Sequence, residues 1–154
     1  MKIILAIDGS PCSDAAIEEV ARRPWPVDSQ VRVISIVETP APLVAEPYLM
    51  AGSYFVEAEK ICRQKAEDAV GQAAAKLGSG QNGNPQVSTQ VLTGSPKRTI
   101  VEEAEAWDAD LIVVGSHGYH SWERMLLGSV SQAVSAHAQC SVEIVRGKKT
   151  EIRG

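Results

Sequence analysis

The residues of this chain best suited to hold a ligand stand in two turns. One is Asp8-Gly9-Ser10, directly after an apolar run. The other is Gly115-Ser116-His117-Gly118, followed after nine intervening residues by Gly128-Ser129 at the opening of a helical stretch. Glycine lets the main chain approach a ligand closely and take positive φ. The first N–H groups of a helix lack internal partners and carry the positive end of its dipole. Glycines leading into a helix start therefore make a cradle for phosphate. The helix opening, Ser129-Val130-Ser131-Gln132, contains no Asp or Glu, although acids are favoured there to balance the dipole. An incoming anion would supply that charge, and Ser129 and Ser131 add hydroxyl donors at the same end. A glycine pair near a helix start also occurs as an ordinary α/β turn. The full spacing G-x2-G-x9-G-S is far more specific.

Asp8 admits two readings: a ligand contact, or an acid bonding the N–H groups of its own strand-to-helix turn. His117 and His120 form H-x-x-H without a third ligand nearby, so solvent or phosphate contact is expected rather than a metal site. Lys97 and Arg98, at another helix start, do not complete a P-loop and are expected to be solvated. Trp25, Trp107 and Trp122 read as packing residues. Cys12, Cys62 and Cys140 are odd in number, widely spaced and free of CxxC pairing, which fits reduced, idle thiols. No catalytic set emerges. There is no G-x-S-x-G elbow and no His paired with a Ser or Cys nucleophile. Only Asp8, His117 and Arg124 are candidates to assist phosphoryl transfer, so an enzyme reading lacks its parts.

The elements that must position these turns follow from the pattern of apolar residues. Lys2 to Ile7, Gln30 to Val37, Gln86 to Leu92, Leu111 to Val114 and Ser141 to Arg146 read as strands. The unbroken runs Ile3 to Ile7 and Leu111 to Val114 are what a strand buried on both faces needs. The first helix opens at Ser10 with Pro11 at its first position and stops before Pro24. The second, about Tyr54 to Leu77, places Phe55, Ala58, Cys62, Ala66, Ala69, Ala73 and Leu77 on one stripe, predicted as core. The third opens with Ser95 and Pro96 and ends near Trp107; the fourth runs from Ser129 to His137. Strands alternating with helices require crossovers, hence a parallel, doubly wound (Rossmann-like) α/β sheet with helices on both faces. In such sheets ligands sit beyond the carboxyl ends of the strands, where the two turns lie.

The chain has 154 residues, and its 15 Lys and Arg against 19 Asp and Glu give a net charge of -4. That length suits one domain, expected over residues 1–147 with a polar tail over 148–154. The negative balance argues against a nucleic-acid partner. Ile3 to Ile7 is too short for a signal core or a membrane span, so a cytoplasmic protein without membrane association is expected. The stretch from Glu38 to Ser53 is long and rich in both Pro and apolar residues. It reads equally as a lid or interface and as a segment packed on its own subunit.

Gly115-x2-Gly118-x9-Gly128-Ser129 resembles the nucleotide-binding signature of the universal stress protein family. The opening Ile4-Leu5-Ala6-Ile7-Asp8-Gly9-Ser10, the helix start Gly94-Ser95-Pro96 and the stretch Ala109 to Gly118 are similar to the same family, so the resemblance spans about residues 2 to 146. It implies a five-stranded sheet in the order 3-2-1-4-5, which sets the ends of strands one and four side by side. It implies ATP, ADP or AMP as ligand, with Mg2+ or Mn2+ carried on the phosphates. Gly115, His117 and Gly118 match positions contacting ribose and phosphates. Gly128, Ser129, Val130 and Ser131 match the cradle, Asp8 the acid near the nucleoside, and Ile36 a position near adenine that no motif fixes. A homodimer is implied too, and edge strand 142–145 offers the pairing surface. The function expected is that of a nucleotide-dependent regulator. The alternatives are a slow ATPase and an interaction module that binds no nucleotide and uses the 38–53 loop. A flavodoxin or response-regulator type is the weaker third alternative, since regulators need an acidic pair after strand one and an Asp after strand three, where this chain has a single Asp8 and Thr93-Gly94.

Overall fold

The computed structural model describes residues 1–38, 51–79, 85–117 and 127–147. Along the chain run β1 (Lys2–Ala6), α1 (Pro11–Arg22), β2 (Gln30–Val37), α2 (Ala51–Gly78), β3 (Gln86–Thr93), α3 (Pro96–Trp107), β4 (Leu111–Gly115), α4 (Ser129–His137) and β5 (Ser141–Val145). All four pairings are parallel, in the order β3-β2-β1-β4-β5. This is the α/β sheet that the alternation of elements and the resemblance predict.

The central strands are apolar on both sides because each face carries helices. Ile3, Leu5, Ile7, Val31, Val33 and Val113 pack with Ala16, Ile17 and Val20 of α1 and Val70, Ala73 and Leu77 of α2. On the opposite face Ile4, Ala6, Ile34, Ile112 and Val114 pack with Ile100, Val101 and Ala104 of α3 and Val134 of α4. Side chains alternate between these two cores with the period of the strands. Steps leftward from β1 put α1 and α2 on one face. Steps rightward from β3 put α3 and α4 on the other, as right-handed crossovers require. The direction of winding therefore reverses between β1 and β4.

α2 departs from expectation in two ways. It begins at Ala51 rather than Tyr54, taking three residues from the stretch read as a loop; residues 39–50 of that stretch lie outside the described residues. Its buried stripe is also shorter than predicted. Ala66, Val70, Ala73 and Leu77 are buried, whereas Phe55 is 42% exposed and Cys62 is exposed. Length explains the difference: 28 residues span about 42 Å as helix, while an eight-residue strand such as β3 covers only about 26 Å. The first half of α2 extends past the sheet and, among the described residues, meets neither of the two cores.

Of the tryptophans, Trp25 packs at the edge of one core with its indole N–H donating to the Val20 carbonyl (2.8 Å), and Trp107 packs at the other beneath the Arg32 guanidinium. Trp122 lies outside the described residues. Lys97 and Arg98 are exposed, and Arg98 pairs with Glu102 on its own helix. The tail 148–154 is outside the described residues. Among those described, no helix is long and apolar enough to cross a membrane.

Candidate functional site

β1 and β4 are hydrogen-bonded neighbours, with Ala6 beside Val114, so the turns that follow them emerge together at the carboxyl edge of the sheet, where the winding reverses. Ser10 Oγ donates to the His117 carbonyl (3.3 Å), tying one turn to the other. The two turns singled out in the sequence, as far as they are described, thus stand side by side, the banks of a candidate crevice at the place where open α/β sheets bind ligands.

The β1–α1 bank is tightly ordered by its own side chains. Gly9 has φ of 78°, a conformation open to glycine and costly to most residues. Ser10 is the N-cap of α1, its hydroxyl accepting from the Ser13 amide (3.2 Å), with Pro11 at the first helical position. Asp8 Oδ1 accepts from the Ser10 amide (2.9 Å) and from Ser13 Oγ (2.6 Å). The local-turn role of Asp8 is therefore present. It uses one carboxylate oxygen; among the described residues Oδ2 accepts no hydrogen bond, and Asp8 is exposed.

The β4–α4 bank is built around Ser116. Its amide donates to the Val145 carbonyl (2.8 Å), and its own carbonyl accepts from the Gly128 amide (2.7 Å). Gly128 is the N-cap of α4, and with no side chain it leaves the helix end uncapped. The first helical amides, at Ser129, Val130 and Ser131, have no carbonyl four residues back within the helix. No acid stands in that first turn. The hydroxyls differ from expectation: Ser129 is exposed, but Ser131 is buried and its Oγ bonds the carbonyls of Gly128 (2.9 Å) and Ser116 (3.1 Å). One proton cannot serve both carbonyls and a ligand, so Ser131 offers the crevice its amide rather than its hydroxyl. Val130 is partly buried against the α3–α4 core.

Gly115 is required for a reason internal to the fold. A Cβ there would lie 2.7 Å from the Cys12 carbonyl carbon and 2.9 Å from its oxygen, so α1 approaches β4 more closely than any side chain permits. His117 follows, its Nδ1 3.1 Å from Ser116 Oγ. Ile36, near the end of β2, is partly buried on the α3–α4 side and pairs with Leu92. Gly118 and His120 lie outside the described residues. Among those described, no group of three or more His, Cys, Asp or Glu is placed to hold a metal ion. Sequence reading passed over Ser13 and Ser116, although Ser10-x-x-Ser13 has the cap-to-third-residue spacing that would have flagged the first.

Comparison with known proteins agrees with this architecture. The model of the universal stress protein family matches residues 1–146. A universal stress protein of Methanocaldococcus jannaschii is 34% identical over 150 residues, covering 97% of this chain and 84% of the relative. Among solved structures, the universal stress protein UspA of Lactobacillus plantarum superposes with a TM-score of 0.77 at 25% identity, over 95% of this chain and 97% of that one. Two more distant structures share the fold with nucleotide bound. One is an Arabidopsis thaliana family protein with AMP (TM-score 0.62, 16% identity, 97% and 93% covered). The other is a universal stress protein in complex with cAMP (TM-score 0.55, 22% identity, 96% and 97% covered). On sequence and fold together, the chain belongs to the universal stress protein family.

Proposed function

We propose that the crevice between the β1–α1 and β4–α4 turns binds an adenine nucleotide, ATP above all, and that occupancy regulates a homodimer rather than driving rapid turnover. The observation that carries this reading is the start of α4, a glycine N-cap with no side-chain cap among the described residues and no acid in the first turn, on the helix that follows β4, the strand paired with β1 where the winding of the sheet reverses. Such an end favours anionic oxygen. The amides of Ser129, Val130 and Ser131 would take the phosphates. Gly115, His117 and Gly118 would lie along phosphate and ribose, Asp8 would accept from the nucleoside, and Ile36 would border the base. Mg2+ or Mn2+ would be held through the phosphates. AMP and cAMP in two structures of the same fold support the ligand class.

Titration calorimetry with ATP, ADP and AMP, with and without Mg2+, tests the reading, alongside mass spectrometry of nucleotide released from freshly purified protein. At ~100 times the dissociation constant, ATP stabilises the fold by about 2.7 kcal/mol, visible as a raised melting temperature. A chain that carries no nucleotide and shows neither heat nor melting shift refutes it. Dimerisation is proposed through β5, which ends the sheet and whose residues 142–145 are only partly buried. Sedimentation across the micromolar range should then show a dimer.

A partner-binding role has its own observation: Tyr54 and Ile61, seven residues apart and so on one face of the first half of α2, are 77% and 50% exposed. If the chain binds no nucleotide, this apolar surface is where an interaction function would be sought.

A further inference from the structure

We propose that Ser13 is the positioning residue of the nucleotide site, fixing the Asp8 carboxylate so that one oxygen is committed to the turn and the other is presented to the nucleoside. This rests on the nucleotide reading above and adds to it a residue that touches no ligand. Ser13 is 3% exposed, in the third helical position of α1. Its hydroxyl stands within a closed ring: it accepts from the Asp8 amide (2.9 Å) and donates to Asp8 Oδ1 (2.6 Å). A hydroxyl has one proton to give, and this short contact to a carboxylate is the charge-assisted kind that commits it.

The arrangement departs from an ordinary capping box. There, a Glu or Gln at the third position reaches back to the N-cap amide while the N-cap hydroxyl takes the third amide. Here Ser10 Oγ does take the Ser13 amide (3.2 Å), but a serine is too short to return the bond. Asp8 Oδ1 accepts from the Ser10 amide instead (2.9 Å), and Ser13 holds Asp8. Two donors on Oδ1 and one acceptor at the Asp8 amide leave the side chain a single orientation. Oδ2, unbonded among the described residues on an exposed side chain, becomes a fixed acceptor for an N–H or O–H of the ligand. Removing the Ser13 hydroxyl frees the carboxylate to rotate, so binding must then order it.

The test separates the nucleoside from the phosphates. ATP and inorganic tripolyphosphate are titrated into the wild-type chain and into Ser13→Ala, Ser13→Thr, Asp8→Ala and the Asp8→Ala, Ser13→Ala double variant. Ser13→Ala should weaken ATP about five- to tenfold and leave tripolyphosphate unchanged. Ser13→Thr, which keeps a hydroxyl, should recover ATP binding. In the Asp8→Ala background the second substitution should cost nothing more, the coupling expected of one unit. Equal loss for both ligands, or full additivity with Asp8→Ala, overturns the positioning role. So does unchanged ATP affinity in Ser13→Ala. If the wild-type chain binds neither ligand, the nucleotide reading itself fails and this inference with it. Should the alanine chain not fold, Ser13→Cys, matched in size with a weak donor, carries the same comparison.

Discussion

Ser129→Asp at the first position of α4 should move stability and ATP affinity in opposite directions. Ser129 is exposed, follows a glycine N-cap, and heads a first turn without acids. A carboxylate there complements the helix dipole and should stabilise the fold by about 0.3–1 kcal/mol, raising the melting temperature by roughly 1–4 °C for a chain of this length. The same charge would stand about 5 Å from a bound phosphate. A unit pair at that distance repels by about 0.8 kcal/mol in water and about 3 kcal/mol at an effective dielectric constant near 20. ATP affinity should therefore fall about four- to 150-fold, with less loss at high ionic strength. Ser129→Ala removes the hydroxyl without adding charge and should do little to either quantity. Differential scanning fluorimetry reads the first effect and calorimetry the second. A variant that melts higher yet binds ATP as well as the wild type would show that the phosphates sit elsewhere.

Gly115→Ala should destabilise the fold by about 1–3 kcal/mol in denaturant titration, because its methyl meets Cys12 backbone at 2.7 Å, which only a shift of α1 can relieve. Cys62 is exposed, whereas burial comes first among the causes that push the Cys140 thiol up; iodoacetamide at mildly alkaline pH should label Cys62 well before Cys140, as peptide mass mapping would show. Hydrogen bonds from Arg22 and Arg23 hold the Glu19 carboxyl below its ordinary value of 4.5, so its small contribution is present above that pH and lost as pH falls through the lowered value. Glu19→Gln should flatten the acid limb of the stability profile there and change little at neutral pH.

The central strands were legible because buried parallel strands carry unbroken apolar runs, and Ile3 to Ile7 and Leu111 to Val114 announced themselves; the strand order followed only from the family resemblance. The starts of α1 and α3 were equally plain, since Ser-Pro at 10–11 and 95–96 combines a cap residue with the one residue type that loses nothing at the first position. What failed was the reach of α2. Phe55 and Cys62 keep the helical period of the core stripe, and periodicity records only which residues share a face. It does not record where the sheet beneath that face stops. Of the candidate site, the sequence marked the two turns that the pairing of β1 with β4 sets side by side. The inward turn of Ser131 and the hold of Ser13 on Asp8 were hidden, because a serine offers the same hydroxyl to a ligand and to a neighbouring carbonyl. Which it chooses depends on burial, and burial is a property of the assembled fold.

The bond from Gly128 to the Ser116 carbonyl bears on how this part of the gene can change. It fastens the two feet of the intervening stretch together, so α4 takes its register from the feet and not from the number of residues between them. Closure entropy grows only by about 0.6 kcal/mol for each doubling of length. The register of α4 is thus set at residues 116 and 128 themselves, whereas the proposed site also needs Gly118, so a change of length between 118 and 128 should cost nucleotide binding before it costs the fold.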